Sequence, residues 1–262
     1  MLPPVFGVLF DGLAYGMLLF LLSVGLSVTL GLMNFVNLAH CAFAMVGGYV
    51  TVLLVNTYGW SFFWTLPLAF IAPALLSIAF ISVAAAAWFF GTTQQPIRTP
   101  EFLRGSFLVL GLNIAPYRLF LILVGAAITL ALVGGLEFTR FGAQVRAAVD
   151  NQRMASGLGI NVERTFAITF AVGSGLAGLG GALAIEIVGL DPNFSFTYLI
   201  YVLIVVSVGG LGSIVGSLAA AILIGISDIA GKYYVPQLGA FLIYLVMLAI
   251  LMWRPVGLFG RR

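Results

Sequence analysis

The segment at residues 34–48, NFVNLAHCAFAMVGG, brings polar side chains together inside apolar sequence. It holds Asn34 and Asn37, and it contains the only histidine and the only cysteine of the chain, His40 and Cys41. Amide and imidazole groups donate and accept hydrogen bonds, so they can line a path for a polar solute or satisfy backbone groups at a helix break. Both interpretations stay open from the residues alone. A metal site is not expected, because no second ligand lies near the histidine in the sequence. The residues assigned to this region are Asn34, Asn37, His40, Gly47 and Gly48.

Residue types suited to catalysis are scarce in the rest of the chain. One histidine, one cysteine and eight carboxylates form no H-E-x-x-H motif and no nucleophile–base set. The chain also lacks a G-x-x-x-x-G-K-[ST] loop, so it has no P-loop of its own for ATP. The sequence therefore predicts a protein that is not an enzyme and that holds no cofactor.

Three acidic residues, Asp11, Glu186 and Asp228, lie within a turn or two of the predicted span ends. We interpret them as hydrated carboxylates at the level of the lipid headgroups, with recognition of a cationic group as the alternative. None is expected at the middle of the membrane, where proton-coupled carriers place ionisable relays. This placement disfavours a proton-coupled carrier.

The elements that must position these residues are membrane helices. Of 262 residues, 62% are hydrophobic and 7% are charged, whereas soluble domains average about 25% charged residues. A membrane-spanning helix needs roughly 20 apolar residues, and the sequence shows no apolar–polar alternation of a membrane β-barrel. The N-terminus lacks the basic region of a cleaved signal peptide, so the first run is expected to be a retained span. We predict an all-α, polytopic membrane bundle with apolar runs at 5–32, 38–55, 62–90, 119–136, 166–190, 199–227 and 238–253.

Positive charge near span ends concentrates in residues 138–165 and in the tail from Arg254. The positive-inside rule places both segments in the cytoplasm. Three apolar runs separate them, whereas an even number of crossings is required, so the run at 199–227 must contain two spans. Its glycines can break the helix and form a tight turn near the cytoplasmic side. The residues assigned to this re-entrant turn are Gly209, Gly210 and Gly212.

Glycine patterns add two further expectations. Glycine-interrupted apolar runs occur in both halves of the chain, at 34–48 and 207–216. This pattern is typical of a duplicated transporter fold, so we predict broken helices and an internal duplication. The sequence GSGLAG at 173–178 lies inside a predicted membrane helix, where it indicates close helix packing rather than a dinucleotide site. Gly12 and Gly16 form a G-x-x-x-G pair with the same interpretation.

The loop at 138–165 has the pattern of a short amphipathic helix. Phe141, Val145, Ala148 and Val149 follow i, i+4, i+7, i+8 spacing, with charged residues on the other faces. The helix is expected to end before the sequence SGLGIN. A solvated connector is one interpretation, but a docking surface explains the apolar stripe better, because an isolated helix of this length has little reason to keep one. We expect Phe141 and Val145 to insert into a groove of a cytoplasmic partner.

Four ordered motifs resemble a known family. They are GLSVTLGLMNFVNLAHCAFAMVGGYV, TRFGAQVRAAVDNQRMASGLGINVERTFAITFAVGSGLAGLGGAL, VSVGGLGSIVGSLAAAILIG and the ending RPVGLFG. With these motifs, most of the chain resembles the LivH-type permease subunits of branched-chain amino acid ABC importers. The resemblance implies one transmembrane permease domain over residues 1–262, in the bacterial inner membrane, that moves branched-chain or related small amino acids.

The resemblance also implies partners and site residues. The partners are a second permease subunit, either a paralogue or the chain itself, two cytoplasmic ABC ATPases that bind the ATP, and an external solute-binding protein; no nucleic acid is expected. The segment matching 34–48 looks like a broken helix near the translocation pathway, and the helix at 140–154 looks like the element that meets an ATPase. The residues assigned to ATPase coupling are Arg140, Phe141, Val145, Arg146, Ala148, Val149 and Arg153. A passive channel for urea-like or amide solutes is the alternative function, although a channel does not need the cytoplasmic helix.

The chain departs from the family pattern at two places. Cys41 stands where similar sequences have glycine, which argues against very close backbone packing at that point. At the junction between Phe90 and Gly91, relatives have a basic cytoplasmic stretch and one more span, and both are absent here. Counting the missing span places the N-terminus outside the cytoplasm.

Overall fold

The computed structural model describes residues 4–33, 40–75, 100–109, 112–191 and 193–260. Its membrane part is a bundle of helices, so the predicted all-α, polytopic class is confirmed. The helices are α1 (Pro4–Met33), α2 (His40–Val52), α3 (Phe62–Leu75), α4 (Pro116–Phe138), α5 (Arg140–Asp150), α6 (Gln152–Gly157), α7 (Val162–Val188), α8 (Phe194–Gly209), α9 (Ile214–Tyr234) and α10 (Gly239–Trp253). A small antiparallel hairpin of β1 (Phe107–Val109) and β2 (Leu112–Ile114) precedes α4, with Phe107 paired to Ile114.

Hydropathy located most of these spans to within about four residues, but the run at 199–227 begins five residues after the start of α8 and ends seven residues before the end of α9. Residues 76–90 of the run at 62–90 lie outside the described residues. Within the described residues, five segments are long and apolar enough to cross a membrane: Val5–Gly31, His40–Thr57, Pro116–Phe138, Val162–Val188 and Ile214–Tyr234. The second of these is α2 extended by a π-helical turn, Leu53–Thr57. Three shorter apolar helices, in α3, α8 and α10, complete the described bundle. The predicted division of the run at 199–227 is confirmed, because α8 and α9 are separate helices.

Side-chain caps explain where several helices begin. The Thr139 hydroxyl accepts a hydrogen bond from the Gly142 amide at 3.2 Å, and Asn161 accepts one from the Arg164 amide at 2.9 Å. Ser213 does the same for the Gly216 amide at 3.0 Å. Each cap satisfies an amide that the first turn of a helix leaves open. The start points of α5, α7 and α9 are thus encoded locally.

Helix α1 occupies the centre of the bundle and packs against α4, α7, α8 and α9. Small residues make these crossings close. A Cβ atom at Gly12 or Gly16 would collide with the backbone of α9, and one at Gly25 would collide with the backbone at Gly173 of α7. Contact between backbones adds dispersion energy that bulky side chains would prevent. The packing interpretation of GSGLAG and of the Gly12–Gly16 pair is confirmed.

Two contacts fix the direction of α1. Asp11, near its start, forms an ion pair with Arg118 at the start of α4, and Gly31, near its end, lies beside Gly212 in the turn before α9. Helices α1 and α4 therefore run in the same direction, and α4 leads directly into the arginine-bearing helix α5. The N-terminal end of α1 lies on the side opposite to α5. This is the arrangement expected when the span missing between Phe90 and Gly91 is included in the count of membrane crossings.

Helix α3 begins at the end of the bundle where α4 also begins, and it extends into the bundle from there. Phe63 stacks on Phe102 with ring centres 5.6 Å apart, and a Cβ atom at Gly178, midway along α7, would collide with Pro73 of α3. The predicted deletion between Phe90 and Gly91 lies outside the described residues. The described chain therefore shows α3 only from the end of the bundle opposite α5 to the middle of α7.

The turn between α8 and α9 is built from glycine. Gly210 and Gly212 have φ angles of 95° and 78°, which side-chain-bearing residues rarely adopt. The tail packs onto this turn, with the Leu258 amide donating to the Val208 carbonyl at 2.7 Å and the Phe259 amide donating to the Gly209 carbonyl at 3.1 Å. The turn lies on the α5 side of the bundle, as predicted.

Candidate functional site

His40 opens α2 and ties it to α1. Its Nε2 lies 2.9 Å from the Leu22 carbonyl oxygen, so this nitrogen carries the proton and donates. The side chain is 1% exposed, and its ring lies directly against Gly25. A hydrogen bond between buried groups of two helices stabilises their contact. His40 therefore links α2 to the middle of α1. The break at residues 34–39 lies outside the described residues, so the role of His40 at the break or in the pathway stays a prediction.

Gly47 and Gly48 lie in the interface between α2 and α7. A Cβ atom at Gly47 would collide with the backbone of Gly178, and one at Gly48 would lie 2.9 Å from the Leu190 side chain. Both glycines therefore permit close helix packing. The other two residues assigned to this region, Asn34 and Asn37, lie outside the described residues, so their place in the pathway stays a prediction.

The apolar stripe of α5 packs against its own chain. Val145 and Ala148 are both 0% exposed, and α5 contacts α1, α4 and α7. Phe141 is half-buried and lines an apolar cavity of about 210 Å³ together with Val28 of α1 and Thr169 of α7. The expectation that Val145 inserts into a partner's groove is wrong, because this side chain is already buried against the chain's own bundle. For Phe141, which is half-buried beside the cavity, the expectation stays a prediction. An amphipathic pattern shows that one face is buried but does not show which surface covers it.

The predicted single helix at 140–154 is two helices. Asn151 ends α5 and caps α6, because its side chain accepts a hydrogen bond from the Met154 amide at 3.0 Å. The sequence contains a signal for this break, since asparagine is a preferred N-cap residue. Arg153 therefore belongs to α6, whereas the other coupling residues belong to α5.

The exposed face of α5 borders a groove of about 380 Å³ at the end of the bundle that carries α5. The groove is bounded by Gly31 of α1, Glu137 of α4, the turn before α9 and Phe259 of the tail. The Arg146 guanidinium donates to the Leu136 carbonyl, which fixes this side chain at the rim of the groove. Four of the assigned coupling residues are exposed, namely Arg140, Arg146, Val149 and Arg153. Helix α5, the turn before α9 and the tail, which are far apart in the sequence, thus meet at one surface.

Asp228 is a polar residue whose position the sequence did not reveal. Its side chain is 1% exposed inside α9, although we expected a hydrated carboxylate at this position. One carboxylate oxygen lies 2.6 Å from the Lys232 ammonium, and the other is buried without a hydrogen-bond partner among the described residues. Its i,i+4 spacing to Lys232 was the signal that could have indicated a paired group. Glu186, in contrast, is exposed.

Within the described residues, five segments are long and apolar enough to cross a membrane, so the fold is that of a multi-pass membrane protein. The chain matches the family described as "Branched-chain amino acid transport system / permease component" over residues 8–88 and 84–251. It belongs to this family and is a membrane-spanning permease component of a transport system. Because the chain belongs to this family, the permease interpretation is correct and the passive-channel alternative is not.

Named relatives cover almost the whole chain. It is 23% identical to the high-affinity branched-chain amino acid transport system permease protein LivH of Escherichia coli K12, over 97% of this chain and 94% of the relative. A probable branched-chain amino acid transport permease protein LivH of Methanocaldococcus jannaschii is 26% identical over 97% of this chain and 92% of the relative. BraD of Pseudomonas aeruginosa, a permease protein of the same kind of system, is 23% identical over 97% and 95%. No solved structure matches the chain significantly.

The alignments also bear on the length of the chain. The family match comes in two pieces that meet at residues 84–88. The alignment with the Escherichia coli relative spans 291 positions, whereas 97% of 262 residues is about 254, so about 37 positions hold no residue of this chain. This number is large enough for a span of roughly 20 residues and a loop.

Proposed function

We propose that the chain is the permease subunit of an ATP-driven importer in a bacterial inner membrane. It moves branched-chain or related small amino acids that an external solute-binding protein delivers. The names of the relatives support branched-chain amino acids as the substrate class and a multi-component transport system as the setting. The chain pairs with a second permease subunit, either a paralogue or another copy of itself, and the ATP is bound by two cytoplasmic ATPases while the chain itself holds no cofactor.

The observation that carries this proposal is the joining of α5, the glycine turn and the tail around one cytoplasmic groove. A partner on this surface would touch α1, α5 and α9 at once, because Gly31, Arg146 and Ile214 all line the groove. Motion of the partner could then reach the transmembrane helices without any further connecting element. A transport protein that works alone has no use for such a surface.

The two faces of α5 have different roles in this proposal. The exposed residues Arg140, Arg146, Val149 and Arg153 contact the ATPase, where apolar contact at Val149 supplies affinity and the arginines supply orientation. The buried residues Val145 and Ala148, with the half-buried Phe141, hold α5 against the bundle. A displacement of α5 is therefore passed to α1, α4 and α7, which are its packing partners.

Co-purification with the proposed partner ATPases tests the docking surface. Val149 is 39% exposed, so Val149→Asp is expected to preserve the fold and to weaken ATPase retention by roughly tenfold or more, since burial of a valine is worth about 1.5 kcal/mol or more. Val145→Asp places a charge in the core and is expected to lower the yield of folded protein.

The matched control for this experiment is Val235→Asp at the opposite end of the bundle, where the side chain is 43% exposed. This variant is expected to retain the ATPases at the wild-type level. Full ATPase retention by Val149→Asp, with normal uptake, would show that α5 is not the docking element.

A further inference from the structure

A cluster of buried polar groups lies at the external end of the bundle, where α1, α8 and α9 meet. Its central residue is Asp228, six residues before the end of α9 at Tyr234, which corresponds to about 9 Å along the helix axis. The carboxylate is 1% exposed, and its Oδ1 has no hydrogen-bond partner within the described part of the chain. An acidic group at this depth is costly unless a cation or donor compensates it.

Three tyrosine side chains lie near this carboxylate. Tyr15 of α1 is 7% exposed, and its hydroxyl interacts with that of Tyr198 on α8. Tyr15, Tyr198 and Tyr201 all lie within electrostatic range of Asp228. The rings of Tyr198 and Tyr201 are 5.7 Å apart, so the cluster combines hydroxyl groups with aromatic surface. Such a lining accepts a polar head and an apolar side chain on the same molecule.

Lys232 closes the cluster from the external side. Its ammonium lies 2.6 Å from Asp228 Oδ2 and 5.7 Å from the centre of the Tyr15 ring. The Lys232 side chain is 55% exposed, whereas that of Asp228 is buried. The lysine can therefore move outward into water at little cost, but the carboxylate cannot follow it. The pair consists of a fixed negative charge and a mobile positive charge.

We propose that this cluster, Tyr15, Tyr198, Tyr201, Asp228 and Lys232, binds the zwitterion of an amino acid at the external end of the permease. The ammonium group of the ligand takes the place of the Lys232 ammonium at Asp228, and it supplies a partner for the unpaired Oδ1. The displaced Lys232 pairs with the carboxylate of the ligand, so the total charge of the cluster does not change. The tyrosine rings contact an apolar side chain. The choice of amino acids as ligands rests on the proposed function.

Binding to the full-length chain in lipid nanodiscs tests this site without ATP or partner proteins. The probe is radiolabelled leucine, with two competitors that each lack one charged group: 3-methylbutylamine, which has no carboxylate, and 4-methylpentanoate, which has no amine. The amine is expected to compete with leucine and the acid is expected to compete far less. Asp228→Asn should weaken leucine binding roughly tenfold or more, because hydrogen bonds to charged groups are worth about 1.5–3 kcal/mol.

Two variants separate binding from folding. Asp11→Asn removes an acid of the same external side whose ion pair with Arg118 is partly exposed, and it should leave leucine binding unchanged. Lys232→Met removes the competing ammonium, so it should strengthen binding of 3-methylbutylamine several-fold while weakening that of leucine. If Lys232 only supports the fold, Lys232→Met should change the binding of both ligands in the same direction.

Three results would overturn the proposal: no leucine binding by the wild-type chain, unchanged binding in Asp228→Asn, or an unchanged amine-to-leucine preference in Lys232→Met. A failure of the proposed function looks different, because it appears as uptake that does not depend on ATP in the assembled transporter while leucine binding at the cluster persists.

Discussion

His40 joins two helices at the most polar segment of the chain. Its imidazole is buried and donates to a carbonyl of α1, although that carbonyl belongs to a continuous helix. Asp228 is the opposite case, because one of its oxygens is left without a described partner. Buried polar groups that are satisfied stabilise the fold, whereas unsatisfied ones are candidates for ligand binding.

Substitution of His40 tests its role as a link between α1 and α2. His40→Ala should lower the free energy of unfolding by about 1–3 kcal/mol, because it leaves the Leu22 carbonyl without this donor and creates a cavity. His40→Gln keeps a donor and should lose less stability. Thermal unfolding in detergent measures the difference, and transport per folded molecule should stay near the wild-type value in both variants. Normal stability with lost transport would instead assign His40 to the pathway.

Helix packing in this bundle depends on which glycines meet another backbone. The sequence showed many glycines in apolar runs, but it could not separate those in contact from those facing open space. Gly47 of α2 meets the backbone of Gly178, while a Cβ atom at Gly134 of α4 would have no atom within 4 Å. The difference depends on how distant helices are placed relative to each other, which no local pattern encodes.

This contrast gives a matched pair of substitutions. Gly47→Ala should destabilise the folded chain by about 1–3 kcal/mol, because the added methyl group must push α2 away from α7. Gly134→Ala should be neutral or stabilising by up to about 1 kcal/mol, since alanine favours the helix more than glycine does. Unfolding midpoints of the two variants, measured in the same detergent, provide the comparison. Equal effects of the two changes would contradict the close contact between α2 and α7.

The amphipathic helix shows where sequence inference reached its limit at the scale of elements. The 3.6-residue period correctly predicted a helix with one buried face in the loop at 138–165. It did not show that Val145 faces the chain's own bundle, because a partner's groove and an internal surface demand the same apolar stripe. The spans themselves were predictable, since hydrocarbon thickness and the need for internal backbone hydrogen bonds leave few alternatives.

At the scale of the whole molecule, the two ends of the bundle differ in chemistry. The end bearing α5 carries arginines, a glycine turn and a shared groove, and the opposite end carries Asp228, its tyrosines and the start of α1. Positive charge and the parity of crossings predicted which segments lie together at the first end. The sequence did not predict the cluster at the second end, because its residues come from α1, α8 and α9, which are far apart in the chain. The predicted internal duplication stays a prediction.

Uptake of leucine into proteoliposomes tests the central claim, that this permease works only together with ATPases. If the proposed partners are added, namely two ATPases, a second permease and a binding protein, the assembly should accumulate leucine only when ATP is present on the ATPase side. The chain alone should show no uptake above that of protein-free liposomes, because it has no P-loop and no energy source of its own. Rapid, ATP-independent leucine entry through the chain alone would contradict the account and would indicate a channel.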